Sequence, residues 1–560
     1  MENNLNTPQK GRKYEVGLIV VSCAIIFGFV IFMSIKPDST LEAVNGLFDT
    51  LIKYMGGFIE TFTFAAVVIS LFFCISSKYG SVKLGNEEPE YNLFSYIAMM
   101  FLACVASAII YWSFTEWCYY YESPGIGLEP ESTAALEAGL AYSFFHWGLS
   151  GQAIYVVIAL AIAYAYYIRK VPSLQTSAVC QAMMGEKIGD GARKATGKVV
   201  DFLVIFGIMG GLGVSLGLAV PLAGGALTAL FGIEITFPMK VGIVLVIACI
   251  FTFTSFIGTK KGMQRLSNFS VACAGVMILW IFLLGPTDFI IKNVANSFGW
   301  MMEIFPRASF FTDPIESKGF PEGWTIFFQA FYLNYAAMMG IFITKISRGR
   351  TIRCMALCTL FGISAGGWTI FAIDSSFSIW THVNGLTDVV ALVNSGVGEA
   401  GIYQVLGVLP GGAMILPALV LLIIVGFVAT SLDSASLSLS QTTQKITDKH
   451  GNVSRALRVF WCIVLTLIPL SIMFAEAPFE TLKIMAIIIS MPFMIVVAFM
   501  GVRTLMWLKE DDKKGLLDKY RASDKKETFT GDLDDPCGYQ QTMEGGRDLT
   551  EDYLAVKDEE

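Results

Sequence analysis

Charged side chains are scarce in this sequence. Asp, Glu, Lys and Arg together make up 15% of its 560 residues, whereas 54% of the residues are hydrophobic. Soluble globular domains carry about 25% charged residues, so this composition excludes a soluble globule. It predicts an all-α polytopic membrane protein, because helices satisfy their own backbone hydrogen bonds in hydrocarbon.

Histidine is scarcer still, and no catalytic pattern accompanies it. The chain has three histidines, His146, His382 and His450, and none has a second His or Cys at the spacing of metal ligands. A glycine-rich phosphate loop followed by Lys is absent as well. The sequence therefore gives no support to an enzyme. It favours a transporter of small solutes, and the lack of a repeated filter-like sequence disfavours a channel.

Apolar runs long enough to cross a bilayer recur along the chain. A span needs about 20 helical residues to cross roughly 30 Å of hydrocarbon. By this criterion the sequence contains about twelve spans. In chain order, spans 1 to 12 lie near residues 16–36, 54–76, 92–120, 141–168, 198–222, 239–258, 268–292, 323–345, 354–377, 411–441, 456–475 and 480–508.

Lysine and arginine occupy alternate connections between the spans. There is none in residues 84–168 and none in residues 354–444. Because cytoplasmic loops carry the excess of Lys and Arg, we expect a multi-pass protein of the cell (inner) membrane with both termini in the cytoplasm. Much of the excess acid behind the net charge of −7 lies in residues 509–560, which we predict to be a disordered acidic cytoplasmic tail.

The end of span 3 places aromatic rings around one carboxylate. Residues 111–121 read Tyr-Trp-Ser-Phe-Thr-Glu-Trp-Cys-Tyr-Tyr-Tyr, with Glu116 at the centre. Tyr119 and Tyr120 follow Glu116 by about one helical turn, so the carboxylate and the rings can share one face. The pattern is typical of an aromatic cage for a cationic ligand and also of the aromatic belt at a membrane interface. Both interpretations remain open.

Polar residues interrupt three further spans. Small and polar residues fill positions 146–155 of span 4, Gln329 and Asn334 accompany an aromatic stripe in span 8, and Asp433 lies among Thr and Ser residues in span 10. A carboxylate inside a membrane is costly and by default functional. Hydroxyl oxygens are the hard ligands that cations such as Na⁺ prefer. Helix packing through small residues is the alternative explanation.

With these features the chain resembles the betaine/carnitine/choline transporter family from about residue 15 to residue 508. The resemblance implies a transporter, and its combination of motifs is highly specific. The motifs comprise residues 112–116 with 119–121, 145–147, 153–155, 215–218, 323–327, 346–353, and 430–431 with 433–436.

The resemblance implies how the chain is organised. Family members have twelve spans and a leucine-transporter-type 5+5 inverted repeat, with the substrate bound near the bilayer midplane between the repeats, and they commonly form homotrimers. The expected parts are a cytoplasmic N-terminal segment (1–15), two peripheral transmembrane helices (16–91) and a transporter core (92–508) with repeats at 92–292 and 323–508, followed by the tail (509–560).

The resemblance also implies where the substrate binds. In this family an aromatic box from spans 3, 4 and 8 holds a quaternary ammonium group, and ring faces suit a permanent cation that cannot donate hydrogen bonds. The implied substrate is a betaine-type or methylated-amine zwitterion, such as glycine betaine or carnitine. The implied substrate-binding residues are Tyr119, Trp147, Tyr155, Gln329, Phe331, Tyr332, Tyr335 and Met339.

Departures from the family pattern bear on the substrate. Phe331 and Tyr332 stand where paired tryptophans are usual, and Gln152 and Gln329 stand where two further tryptophans are usual. Since Trp is the best partner for a cation, this box is weaker and more polar. We expect a betaine held with looser affinity, and a less methylated amine such as sarcosine or glycine remains the alternative.

The resemblance further implies coupling to sodium. Ile208 and Leu212 replace the threonines of one family Na⁺ site, so that site is expected to be absent. Ser270 stands where sodium-independent exchangers have an arginine. We therefore expect symport with one Na⁺ and no other cofactor. The implied Na⁺ ligands are the side chains of Thr430 and Ser431 and the carbonyls of Phe427, Leu102 and Val105.

Two other functions remain open. Residues 104–108 are closer to the carnitine exchangers than to the glycine run of betaine symporters, so a Na⁺-independent substrate/product antiporter is the alternative. A transporter-like receptor whose acidic tail recruits a cytoplasmic partner is a third hypothesis. The mixed charge of the tail, where osmotic sensors of the family have a long basic helix, favours nutrient uptake over an osmotic response.

Overall fold

The chain folds into a bundle of α-helices. A computed structural model describes residues 14–103, 107–257, 260–444, 453–474 and 479–521. This part of the chain contains isolated β-bridges but no strand. Its α-helices are α1 (Val16–Ile35), α2 (Pro37–Ile75), α3 (Ser77–Gly80), α4 (Leu93–Leu102), α5 (Ser107–Glu122), α6 (Thr133–His146), α7 (Leu149–Ala163), α8 (Thr176–Met184), α9 (Asp190–Phe231), α10 (Phe237–Ile257), α11 (Lys260–Leu284), α12 (Thr287–Ala308), α13 (Ile326–Ile346), α14 (Ile352–Leu357), α15 (Ile363–Val383), α16 (Val389–Asn394), α17 (Gly398–Gly407), α18 (Gly412–Thr443), α19 (Arg455–Phe474) and α20 (Phe479–Lys513).

These helices account for the predicted spans. Eight helical segments of the described chain are long and apolar enough to cross a membrane, and α1, α4 and α10 contain shorter apolar stretches. Helix α19, which covers span 11, has 20 residues. The prediction of an all-α polytopic membrane protein is therefore confirmed. Within each continuous helix the backbone hydrogen bonds are made between residues of that helix, as hydrocarbon requires.

Several spans are not continuous α-helices. Span 4 consists of α6 and α7, which Trp147 and Gly148 separate. Wider π-helical turns follow α7 at Tyr164–Ile168, precede α13 at Pro321–Thr325 and join α14 to α15 at Cys358–Gly362. Such irregular backbone is tolerated at membrane depth where protein surrounds it, and π-turns are frequent at functional sites.

The break in span 4 requires a glycine. A Cβ atom on Gly148 would lie 2.4 Å from the carbonyl oxygen of Phe144 and 2.7 Å from Nε1 of Trp368. That indole nitrogen, on α15, donates a hydrogen bond of 2.8 Å to the Phe144 carbonyl. Span 9 therefore satisfies a carbonyl at the point where the helix of span 4 is interrupted.

The packing between helices follows two equivalent sets. In the first half α9 packs against α20 and α7 packs against α13; in the second half α18 packs against α11 and α15 packs against α5. When every helix is replaced by the helix of the equivalent span in the other half, five spans away, the first set of contacts becomes the second. Helices α9 and α18, and α10 and α19, pack against each other as counterparts. This is the arrangement of a leucine-transporter-type 5+5 inverted repeat.

The chain after span 12 folds back onto the end of the bundle. Asp511 accepts hydrogen bonds of 2.7 Å from the Tyr164 hydroxyl and from Nε of Arg169. Further on, the Lys83 amide donates to the carbonyl of Tyr520 at 2.7 Å. We call residues 511–521 the C-terminal clasp, because they connect span 12 to the end of span 4 and to the connection between spans 2 and 3.

The clasp changes one predicted boundary. Helix α20 continues to Lys513, and a 3₁₀ turn covers Asp518–Tyr520. The boundary predicted at residue 508 therefore falls inside a helix, and residues 509–521 belong to the folded part of the chain and not to the tail. The physical reason is the burial of Asp511 and Tyr520, which are 1% and 4% exposed. Residues 522–560 lie outside the described residues.

We predict that Asp511→Ala destabilises the protein by about 2–3 kcal/mol, because it leaves the Tyr164 hydroxyl and the Arg169 guanidinium without their buried acceptor. The measurement is the temperature of half-loss of the monodisperse peak in detergent. Glu510→Ala is the matched control, since its carboxylate is 46% exposed and lies 3.4 Å from the same guanidinium. Equal midpoints for the two variants would contradict the prediction.

Candidate functional site

Aromatic rings from spans 3 and 8 meet near the start of α13. Trp324 contacts Tyr119 and Trp112 with ring centroids 4.9 Å and 5.9 Å apart. The rings of Trp112 and Phe327 are 6.4 Å apart. We call Trp112, Tyr119, Trp324 and Phe327 the outer ring cluster. Tyr119, which the sequence placed in an aromatic box, belongs to this group.

Glu116 organises the rings next to this cluster. Its side chain is fully buried and accepts hydrogen bonds from Nε1 of Trp147 at 2.7 Å and from the Tyr120 hydroxyl at 2.8 Å. The same hydroxyl lies 2.8 Å from Nδ1 of His146, whose Nε2 lies 3.1 Å from Oγ1 of Thr325. Burial excludes a helix end solvated by the external medium. The carboxylate instead fixes the direction of the Trp147 ring.

A second group of rings lies around Tyr332. Its ring centroid is 5.4 Å from that of Tyr155 and 6.4 Å from that of Trp147. Nε2 of Gln152 is 3.3 Å from the Tyr332 hydroxyl. We call Trp147, Tyr155 and Tyr332 the inner ring cluster. The structure brings these three predicted box residues, from spans 4 and 8, into one site.

Two further predicted residues of α13, Phe331 and Tyr335, lie one helical turn apart and pack against each other. The rings of Phe331 and Tyr335 meet edge to face at 5.2 Å, and the Tyr335 hydroxyl lies 3.0 Å from Oγ of Ser215 on α9. Met339 follows one turn later on the same helix and is half-buried. Gly211 of α9 allows this approach, since a Cβ atom there would lie 2.8 Å from the Tyr335 ring.

The two glutamines that replace tryptophans carry acceptors without a partner. Oε1 of Gln152 and Oε1 of Gln329 are buried and have no hydrogen-bond partner within the described part of the chain. A buried acceptor without a partner costs about 1–3 kcal/mol. These two oxygens are therefore suited to a bound molecule or a water that donates hydrogen bonds.

The predicted sodium ligands are brought together only in part. Oγ1 of Thr430 donates a hydrogen bond of 3.0 Å to the Phe427 carbonyl, which joins two of the predicted ligands. Ser431 is half-buried on the same helix, α18. Leu102 is the last residue of α4 and is 37% exposed, and Val105 lies outside the described residues. Binding of Na⁺ by these groups stays a prediction.

The three residues that bear on sodium coupling, Ile208, Leu212 and Ser270, are all buried. Ile208 and Leu212 of α9 are buried and offer no side-chain oxygen. Ser270 of α11 is fully buried, and its Oγ would lie 1.6 Å from a Cβ atom on Gly426, the residue before Phe427. The small Ser270 side chain thus packs directly on the α18 backbone beside the predicted sodium ligands.

Asp433, the carboxylate of span 10, has a structural partner. It forms an ion pair with Arg458 of α19, and each of the two side chains is 15% exposed. An intramembrane carboxylate is by default a functional candidate. The pairing with Arg458 instead explains Asp433 by an ion pair between α18 and α19, which is neither a binding role nor the predicted alternative of packing through small residues.

Two buried ionisable residues, Lys483 and Asp374, were not among the predicted site residues. Lys483 of α20 is 3% exposed, and its Nζ lies 4.3 Å from the ring centroid of Trp324 and 5.0 Å from that of Phe327. Asp374 of α15 is fully buried and accepts a hydrogen bond of 2.9 Å from Ser113. For Asp374 the available signal was that it is the single charged residue of span 9. Lys483, near the start of span 12 and three residues after Glu480, carries no such signal.

Comparison with known proteins places the chain among transporters. The profile of the betaine/carnitine/choline family transporters matches residues 17–513. A carnitine transporter of Acinetobacter baumannii is 36% identical over 91% of this chain and 92% of its own length. An uncharacterized transporter, YeaV, of Escherichia coli K12 is 34% identical over 78% of this chain and 90% of its own length.

A solved structure of a Na⁺-coupled sialic acid symporter also aligns with the chain. It covers 83% of both chains with 14% sequence identity and a TM-score of 0.34. This likeness is too low to bear on the function.

We predict that Gly151→Ala weakens substrate binding at least about tenfold while the protein still folds. A Cβ atom at Gly151 of α7 would lie 2.2 Å from the Tyr332 ring, so the ring must leave its contacts with Trp147 and Tyr155. The measurement is the KM of uptake in proteoliposomes. Gly191→Ala is the control, since nothing lies within 4 Å of its Cβ position, and equal KM values for both variants would contradict the prediction.

Proposed function

The chain belongs to the betaine/carnitine/choline transporter family, and we propose that it imports a betaine-type or methylated-amine zwitterion, such as glycine betaine or carnitine, by Na⁺ symport. The observation that carries the proposal is the inner ring cluster. Trp147, whose ring direction Glu116 fixes at 2.7 Å, meets Tyr332 and Tyr155 at a break in span 4.

Ring faces suit this class of substrate. A quaternary ammonium group carries a permanent charge and has no N–H to donate, so an aromatic face is its best partner, worth roughly 0.5–2 kcal/mol per ring. The break between α6 and α7 adds irregular backbone beside these rings, which is tolerated at membrane depth where protein surrounds it. The relative named a carnitine transporter supports the same class.

One observation favours a second candidate substrate. The unpartnered oxygens of Gln152 and Gln329 can accept hydrogen bonds from N–H groups, which a fully methylated ammonium lacks. A less methylated amine, such as sarcosine or glycine, would satisfy them. This candidate needs the same transport site and differs from glycine betaine only in the methylation of its amine.

Sodium coupling rests on the oxygens of α18 and on the residue that faces them. Thr430 and Phe427 already place a hydroxyl and a carbonyl 3.0 Å apart, and a cation can bind both oxygens once the hydroxyl rotates its proton away from the carbonyl. Ser270 packs directly on Gly426, which leaves no room for a long basic side chain at this point. Residue 270 therefore supplies no positively charged side chain, and the oxygens of α18 remain suited to a Na⁺ ion.

A single Na⁺ is energetically sufficient for uptake. One charge that moves through 100 mV contributes about 2.3 kcal/mol, and a tenfold Na⁺ gradient adds about 1.4 kcal/mol. Together they support accumulation of an electroneutral zwitterion by two to three orders of magnitude. The second family site, which Ile208 and Leu212 deprive of oxygens, is not required.

The alternative coupling mode is Na⁺-independent exchange of substrate against product, which the sequence of residues 104–108 favours. We also propose a homotrimer in the cell (inner) membrane with both termini in the cytoplasm. The distribution of basic residues supports this orientation: Lys83, Arg169 and Arg350 all contact segments at the end of the bundle that bears the C-terminal clasp. The trimer rests on the resemblance to the family alone.

We predict that proteoliposomes containing the protein accumulate labelled glycine betaine or carnitine when an inward Na⁺ gradient is imposed on vesicles that hold no substrate. The panel also contains choline, sarcosine and glycine, each with and without internal substrate. Uptake that ignores Na⁺ and requires internal substrate would establish exchange instead. Uptake restricted to sarcosine or glycine would assign the less methylated amine.

We predict that Thr430→Ala reduces the Na⁺ affinity of uptake at least about tenfold, because it removes a hydroxyl ligand beside the Phe427 carbonyl. The measurement is the Na⁺ concentration that gives half-maximal uptake. Thr369→Ala is the matched control, since Thr369 makes the same kind of bond to its own helix, 2.8 Å to the Ala365 carbonyl, on an exposed face. Identical Na⁺ dependence in both variants would place the ion elsewhere.

A further inference from the structure

The buried carboxyl group of Asp374 has no role in the proposed function. Asp374 lies in the middle of α15, in span 9, and its side chain is fully buried. An ionisable residue inside a span is costly and marks a functional position by default. Asp374 differs from Asp433, whose charge is compensated by Arg458. Its surroundings therefore decide in which ionisation state it is held.

No charged group compensates Asp374 within the described part of the chain. Its surroundings are set by burial and by Ser113 of α5, and no ionisable side chain interacts with it electrostatically. The acidic, basic and histidine side chains on or next to the described elements packed against α15 are Glu116, Glu122, Glu137, His146, Arg265, Asp288, Lys292, Glu303, Arg307, Asp388 and Glu399. None of them acts on Asp374. An unpaired carboxylate in such a place costs far more than a neutral carboxylic acid.

The hydroxyl groups that follow Asp374 on α15 bond to other acceptors. Ser375 donates to the carbonyl of Ser113, and Ser378 donates to the carbonyl of Phe114 at 2.8 Å. Oδ1 of Asp374 is buried and has no hydrogen-bond partner among the described residues. Within this part of the chain an ionised Asp374 would therefore have one donor, Ser113, whereas two or three donors stabilise a buried carboxylate.

The contacts of Ser113 fit a carboxylic acid better than a carboxylate. Its Oγ lies 2.9 Å from Oδ2 of Asp374 and 3.2 Å from the carbonyl oxygen of Ile110. A serine hydroxyl has one proton, so beside an ionised Asp374 it can fully serve only one of these two acceptors. With a proton on Oδ2, the acid donates to Ser113, and the Ser113 hydroxyl donates to Ile110. Both contacts are then complete hydrogen bonds.

We propose that Asp374 is a proton-binding site that joins span 3 to span 9. The proton lies on Oδ2, between the carboxyl group and Ser113, while α5 and α15 pack against each other. Its release would leave an unpaired charge between the two spans, so this packing weakens as the pH rises. Because α5 also carries Glu116, which orients Trp147, the proton supports the helix on which the substrate site is built.

Infrared spectroscopy of the purified full-length protein tests the proton directly, because a carboxylic acid and a carboxylate have different C=O stretching bands. We expect the wild-type spectrum to contain an acid band that is missing from Asp374→Asn. The amide has the shape of the acid and can donate to Ser113 in the same way, so this variant should fold. Ser113→Ala should keep the acid band and shift it to higher frequency, since the acid loses its acceptor.

The pH dependence of stability gives a second readout. The temperature of half-loss of the monodisperse peak in detergent should fall for the wild type between about pH 6 and about pH 9, the range in which buried carboxyl groups lose their protons. The fall should be smaller for Asp374→Asn, which has no proton to release. Asp288→Asn is the matched control, since the Asp288 side chain is 81% exposed, and it should follow the wild type.

Three outcomes would overturn the assignment. The first is a carboxylate band in place of the acid band when the Asp374→Asn spectrum is subtracted from that of the wild type. The second is an equal dependence of stability on pH in these two proteins. The third is an Asp374→Asn protein that does not fold, because a neutral group of the same shape should be tolerated. None of these measurements uses a transported substrate, so they are independent of the proposed function.

Discussion

The hydrogen bond between Glu116 and Trp147 is the interaction on which the candidate site depends. It joins span 3 to the break in span 4, and the second Glu116 oxygen extends the network through Tyr120 to His146 and Thr325 of span 8. Hydrogen bonds inside a protein contribute about 0.5–1.5 kcal/mol each. These bonds hold spans 3, 4 and 8 at the same depth. They also set the orientation of the Trp147 ring.

Glycines determine how closely the rings approach the helices around them. Gly151 and Gly211 leave room for the rings of Tyr332 and Tyr335, and Gly148 allows the interruption that exposes the end of α6 to Trp368. In lipid, helix association depends on such close packing, because lipid chains are as apolar as the side chains they would replace. The rings of Tyr332 and Tyr335 therefore reach their positions because the opposing helices have glycine, with no side chain, at the points of contact.

The proposed function requires two kinds of cation recognition on the same helix bundle. The rings of spans 4 and 8 offer polarizable faces without hydrogen-bond acceptors, whereas Thr430 and Phe427 of α18 offer hard oxygens. An ammonium ion without N–H groups and a small metal cation make opposite demands on their ligands. The proposed substrate and sodium sites therefore differ in ligand chemistry, which separates the two cations without steric selection.

By itself, the sequence determined the fold class, the number of spans and the family, because hydropathy and charge distribution report directly on what hydrocarbon tolerates. It also identified Trp147, Tyr155 and Tyr332, which the structure brings together. Only the tertiary structure decided that Tyr119 joins Trp324, that Asp433 pairs with Arg458, and that Lys483 lies over aromatic rings. These depend on contacts between helices distant in sequence, and local periodicity carries no information about which partner a buried charge meets.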